Sequence, residues 1–196
     1  MKNPAGAESA GKQTVRVLML GDSITAGFDT ARLLPSYSIV NRGVSGDSTE
    51  ECRERIVPEW FTVPPELLFL CIGTNDLARD RNDAFILEGI RSIVQTIRRY
   101  AQPAIVLTSI FPTRDNAPRP NERIRGLNNG IAALASGSGC RYFDLHPHFA
   151  DGTGSLKQEF TDDGLHLTDA AYHSWSGLLS DSIDSYSGST YRGPAV

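Results

Sequence analysis

Val15-Arg16-Val17-Leu18-Met19-Leu20-Gly21-Asp22-Ser23-Ile24-Thr25 joins an apolar run to a polar turn opened by glycine. The run is far shorter than the roughly 20 residues that cross a bilayer, and it suits a buried strand. With this first strand over residues 15–20, four further runs read the same way, at residues 37–41, 67–72, 104–109 and 141–145. Each is continuous and not alternating, as expected of strands covered on both faces in a parallel sheet. Helical periodicity fills the intervals. Ile86, Ile90, Ile93, Val94 and Ile97 recur every three or four residues across residues 83–100. Ile124, Leu127, Ile131 and Leu134 do so across residues 120–136, and Thr168 can cap a helix over residues 169–186. Strand and helix alternate throughout. That order predicts an α/β doubly wound fold, a three-layer α/β/α sandwich around a five-stranded parallel sheet, with ligands gathering beyond the carboxyl ends of the strands.

At 196 residues, 40% hydrophobic and 21% charged, the chain fits one domain, expected over residues 15–186, that needs neither disulfide nor structural metal. Residues 1–14 and 187–196 lack periodicity and are expected to be flexible tails. The first of these holds no apolar segment ahead of a cleavage site, and Cys52, Cys71 and Cys140 form no C-x-x-C. Both features point to a cytoplasmic protein with reduced thiols. A net charge of −4 without a Lys/Arg block argues against a nucleic-acid partner. Trp60, Phe61, Pro64 and Pro65 leave a homo-oligomer open.

The turns after successive strands converge on one sheet edge, so polar residues there are the candidates for chemistry. They are Gly21-Asp22-Ser23, then Gly43-Val44-Ser45-Gly46-Asp47, then Gly73-Thr74-Asn75-Asp76, and, ahead of the last helix, Thr161-Asp162-Asp163-Gly164-Leu165-His166. Taken singly, each has an ordinary structural role. Ser23 and Asp163 suit helix caps, Gly43 and Gly46 can supply a positive φ, and Asn75 can bond its own turn. Taken together they match the parts of an acyl transfer. Ser23 offers a nucleophilic hydroxyl, while the Gly46 N–H and the Asn75 amide offer two donors to an oxyanion. Asp163, three residues before His166, can accept the Nδ1 proton and turn Nε2 outward as a base; Asp162 is the neighbouring alternative, and the spacing favours Asp163.

Other residues carry weaker readings. Asp22, Asp47 and Asp76 could gather a metal for phosphoester hydrolysis, but only His166 is placed to join them, so neither metal nor organic cofactor is expected. Cys71 falls in a buried strand as inert packing, His146 and His148 suit a surface or capping role, and His173 lies on a helix. Residues 111–121, with three prolines and both Arg114 and Arg119, form either a substrate-facing lid or a plain surface connection. Arg79 either meets a polar leaving group or is simply exposed at a helix start. Gly-x-Ser-x-Gly, Walker A, Gly-x-Gly-x-x-Gly and His-Glu-x-x-His patterns are all absent from the sequence.

Gly21-Asp22-Ser23, Ser45-Gly46-Asp47, Gly73-Thr74-Asn75-Asp76 and Asp163-Gly164-Leu165-His166, in this order, resemble the four motif blocks of the SGNH (GDSL) hydrolases. Within that family the chain is most similar to compact single-domain esterases that include platelet-activating-factor acetylhydrolase-like and carbohydrate-deacetylating members. Leu167 stands where many members carry proline. The resemblance implies a flavodoxin-like fold, with Ser23 as nucleophile, His166 as base and Asp163 orienting it. It also implies an oxyanion hole from the Ser23 N–H, Gly46 and Asn75, with Asp22 and Thr74 in support. The expected activity is that of a serine esterase releasing a short acyl group, acetyl foremost, from a sugar or other polar alcohol. Alternatives are a lysophospholipase or thioesterase working on longer acyl chains and, from a different class, a non-catalytic ligand-binding module.

Overall fold

Successive residues of a strand point to opposite sides of its sheet. Leu18, Leu20, Leu68, Leu70, Ile105 and Leu107 enter one core, whereas Val17, Met19, Leu67, Phe69, Cys71 and Val106 enter the other. Two covered faces therefore demand the unbroken apolar runs seen in the sequence. The computed structural model describes residues 15–190. Its strands are β1 (Arg16–Gly21), β2 (Ser38–Gly43), β3 (Leu67–Cys71), β4 (Ala104–Thr108) and β5 (Arg141–Phe143). Four short helices lie among the first three strands and just after them: α1 (Ser23–Ala26), α2 (Thr30–Leu33), α3 (Thr49–Glu54) and α4 (Thr74–Ala78). They are followed by α5 (Asp83–Tyr100), α6 (Asn121–Gly137), α7 (His146–Phe149) and α8 (Asp169–Thr190).

All five strands are parallel, in the order β2-β1-β3-β4-β5. This is the flavodoxin-like winding, whose switch point lies between β1 and β3. Gly21 pairs with Gly43 on one side and with Cys71 on the other. The turns after β1, β2 and β3 therefore leave the sheet at the same level. On one face, Ile86, Ile90, Ile93, Val94 and Ile97 of α5 pack with Ile124, Leu127, Ile131 and Leu134 of α6. On the other, α8 contributes Ala171, Trp175, Leu179 and Ile183. The Trp175 ring lies 5.0 Å from that of Phe28 and 5.1 Å from that of Phe111, edge to face in both cases. Those contacts fasten together the segment after α1, the loop after β4, and α8.

Some expectations need correcting. β2 alternates exposed and half-buried residues, because it lies at the sheet's edge where its faces are incompletely covered. α8 continues through Thr190, so residues 187–190 are helix and not tail. The proposed tails at residues 1–14 and 191–196 lie outside the described residues. Phe61 is buried and stacks on Tyr100 at 5.7 Å, and Trp60 lies under the Arg42 and Arg55 guanidinium groups. The aromatic pair is thus largely engaged within the chain. No helix among the described residues is long and apolar enough to cross a membrane.

Candidate active site

Asp22 ends the turn after β1 and caps α1, accepting from the Ile24 N–H at 3.0 Å. The cap is therefore Asp22, and Ser23 is left as the first helical residue with its hydroxyl uncommitted to the backbone. Ser23 Oγ lies 3.1 Å from His166 Nε2, although the two residues are 143 positions apart. The other imidazole nitrogen, Nδ1, lies 2.6 Å from Asp163 Oδ2. An ionised carboxylate can only accept, so Nδ1 carries the hydrogen and Nε2 presents its lone pair to the serine hydroxyl.

The turn that carries this pair is built around Asp163. Its Oδ1 accepts from the backbone N–H groups of Leu165 (2.9 Å) and His166 (2.7 Å). Partial burial works against the Asp163 charge, but the hydrogen bonds from His166 and from these two amides outweigh it and hold the carboxyl well below its usual range. Asp162, the alternative, is exposed beside it. Gly164 sits at φ +83°, and a Cβ there would overlap the Arg114 carbonyl oxygen. The Arg114 N–H in turn donates to the Gly164 carbonyl at 2.8 Å. Residues 111–121 are thus latched onto the histidine turn. Arg114 also pairs with Asp151 and donates to the Leu156 carbonyl at 2.6 Å, so this loop is fastened and is not a free lid.

Gly46 and Asn75 come to the same edge from β2 and β3. Gly46 adopts φ +87° with open space about its Cα, whereas Gly43 is required for a different reason, close approach of the Ala26 backbone. Among the described residues neither the Ser23 nor the Gly46 N–H donates to a protein acceptor. Asn75 does not bond its own turn; its Nδ2 donates to the Asp47 carbonyl at 2.9 Å, across to the Gly46 loop. That spends one N–H and leaves a second. Arg79, at the carboxyl end of α4, donates to the Gly46 carbonyl at 3.0 Å and to both Glu51 oxygens. It is occupied by the loop and not held ready for a leaving group. Hydrogen bonds from Ser48 and then Arg79 draw the Glu51 carboxyl down to about 2.

Beneath this edge, Asp22 is fully buried, and desolvation pushes its pKa to about 7. The Ile24 N–H, His166 and Arg119 oppose that rise, while Asp47 adds to it. Asp47 pairs with Arg55, and Asp76 accepts from the Thr49 N–H and hydroxyl at 3.0 and 2.8 Å. The three aspartates suggested as a metal cluster are thus each engaged separately. Among the described residues no group of three or more His, Cys, Asp or Glu could hold a metal ion. Thr74 is buried, and its carbonyl accepts from Arg119 Nε at 2.9 Å. The Cys71 thiol is pushed up to about 12 by burial, in keeping with inert packing. His146 is buried rather than at the surface, while His173 Nδ1 bonds to the Asp169 carbonyl within α8. The sequence placed Arg119 only on the loop of residues 111–121; its contacts with Thr74 and Asn75, the first residues of α4, it did not reveal.

Residues 19–173 match the model of the GDSL-like lipase/acylhydrolase family. No curated protein sequence matches. Among solved structures, a Streptococcus pneumonia protein described as a candidate platelet activating factor is 31% identical. Coverage is 89% of this chain and 86% of that one, with a TM-score of 0.78. A GDSL-like lipase from Bacteroides thetaiotaomicron is 23% identical over 87% of this chain and 88% of that one (TM-score 0.75). The lipase/acylhydrolase from Enterococcus faecalis is 23% identical over 89% and 96% (TM-score 0.72). The matched span begins within β1 and ends inside α8, taking in every strand end and turn described above. The chain therefore belongs to the GDSL-like lipase/acylhydrolase family and is an ester hydrolase.

Proposed function

We propose that the chain is a serine esterase that removes short acyl groups, acetyl foremost, from a sugar or other polar alcohol. Ser23 is its nucleophile, His166 its general base and Asp163 the orienting carboxylate. The observation that carries this reading is the chain of contacts from Asp163 Oδ2 to His166 Nδ1 (2.6 Å) and from His166 Nε2 to Ser23 Oγ (3.1 Å). As Ser23 Oγ attacks the ester carbon, its proton passes to Nε2. The carbonyl oxygen becomes an anion facing the Ser23 N–H, the Gly46 N–H and the unspent N–H of Asn75. Collapse of this intermediate breaks the bond to the alkoxy oxygen, which takes the proton from His166. A water then gives a proton to His166 and attacks the acyl-enzyme, releasing the carboxylic acid and free Ser23.

Support for a short acyl group comes from the walls. Of the loop at residues 111–121, Phe111, Pro112 and Thr113 are buried inward, and the exposed residues Asp115, Ala117, Pro118 and Pro120 offer no large apolar side chain to a long acyl tail. Support for a polar alcohol comes from the half-exposed serine and exposed histidine, which are open to solvent. An acetyl xylan esterase shares the fold, at 16% identity, 86% coverage of this chain and TM-score 0.73.

Two measurements test the proposal. Ser23→Ala is expected to lower turnover of p-nitrophenyl acetate by several orders of magnitude with an unchanged melting temperature. Across acetyl, butyryl and octanoyl esters, kcat/KM is expected to fall with length and to rise when the alcohol is an acetylated sugar. Retained turnover in Ser23→Ala overturns the mechanism; a preference for octanoyl overturns only the substrate assignment.

A further inference from the structure

Arg119 reaches the site from the loop after β4, 44 residues from Asn75 in sequence. Its Nε donates to the Thr74 carbonyl at 2.9 Å, its Nη2 lies 3.3 Å from Asn75 Oδ1, and its Nη1 lies 3.3 Å from Asn116 Oδ1. The guanidinium therefore faces three acceptors in a fixed fork. Its own backbone is held as well. The Arg119 carbonyl accepts from Thr113 Oγ1 at 2.7 Å, and Thr113 is bonded in both directions to Asn121. Pro118 and Pro120 flank it and restrict the chain on either side.

The chemistry of Asn75's two neighbours leaves its amide a single orientation. A guanidinium only donates, so the atom facing it must be Oδ1; a backbone carbonyl only accepts, so the atom facing Asp47 must be Nδ2. Both constraints turn the NH2 group the same way, with one N–H spent on Asp47 and the other left over. A positive charge seated on the oxygen of an amide also draws electron density from its nitrogen, making the remaining N–H a better donor.

We propose that Arg119 is a positioning residue for the oxyanion hole, setting the Asn75 amide so that its unspent N–H meets the developing charge. This rests on reading Asn75 as an oxyanion donor, and the test separates the two. In purified full-length protein with p-nitrophenyl acetate, Asn75→Ala is expected to lower kcat by about 100- to 1000-fold. Arg119→Ala is expected to lower kcat by roughly 10- to 100-fold while KM stays within about 2-fold. Arg119→Lys, which keeps the charge but not the fork, should lose less than Arg119→Ala. In the Asn75→Ala background, Arg119→Ala should cost less than about 2-fold, because the group it positions is gone.

Urea unfolding of each variant accompanies the kinetics, and Arg119→Gln takes the place of Arg119→Ala where the latter does not fold. An undiminished kcat in the Arg119 variants, an equal loss with and without Asn75, or a loss carried by KM would overturn the proposal while leaving Asn75 its role. Full activity in Asn75→Ala would remove the oxyanion reading, and the proposal with it.

Discussion

Asp163 divides its work between two oxygens. Oδ1 holds the backbone N–H groups of Leu165 and His166, and Oδ2 holds the imidazole. Asp163→Asn keeps an oxygen for the two amides but puts an NH2 group against Nδ1. That nitrogen must then accept, Nε2 must carry the hydrogen, and the ring faces Ser23 in the wrong tautomer. The expected result is a kcat loss on the order of 10³- to 10⁴-fold with little change in unfolding midpoint. Residues of this kind were legible because each lies inside a short block with a fixed chemical spacing, as Asp163 and His166 do. Arg119 was not, because its meaning comes from atoms of Thr74 and Asn75 that only the folded loop brings within reach.

Between elements, glycines report how tightly the site's turns are packed. Gly164 is held at φ +83° with the Arg114 carbonyl against it, at the latch between the histidine turn and the loop after β4. Gly164→Ala is expected to cost about 1–3 kcal/mol from backbone strain, plus the displacement of Arg114, and to lower kcat as His166 shifts. Gly177 makes the opposite case: it lies exposed inside α8 with open space at its Cα. Gly177→Ala should raise stability by about 0.4–1 kcal/mol by restricting the unfolded chain. Urea midpoints of the two variants, moving in opposite directions, check both statements. Elements of more than two turns were the readable ones; α5 spans Asp83–Tyr100 as its periodicity indicates. Helices of four to six residues such as α1 and α3 show too little of a 3.6-residue repeat to be read, and they owe their existence to caps, Asp22 for α1 and Ser48 for α3. The edge position of β2 was hidden for another reason, since which strand lacks a neighbour is a property of the whole sheet.

For the molecule as a whole, the alternation of strand and helix indicated the layers, while the titratable groups that folding buries or hydrogen-bonds set how stability responds to pH. Burial holds Asp22 protonated up to about 7, against an ordinary value of 3.8, and raises Asp76 in the same direction. Between those limits the folded chain binds protons that the unfolded chain has lost, so raising the pH favours unfolding. Stability from this source is greatest below pH 4 and declines as pH climbs toward 7. Glu51 and Asp163, drawn down by their hydrogen bonds, act in the opposite sense: their contribution is present above the ordinary carboxylate range and is lost as pH falls below it. His146, lowered by burial, also favours the folded state as pH rises toward its ordinary value of 6.5. These opposing slopes would obscure one another in the native protein alone, but Asp22→Asn isolates one of them. Asparagine caps a helix as well as aspartate does and carries no charge to desolvate. The two proteins should therefore have similar urea midpoints near pH 4 and diverge as pH rises, with the variant the more stable by on the order of 4 kcal/mol at pH 8. Parallel midpoint curves from pH 4 to 8 would show that Asp22 ionises in the folded chain at the same pH as in the unfolded one.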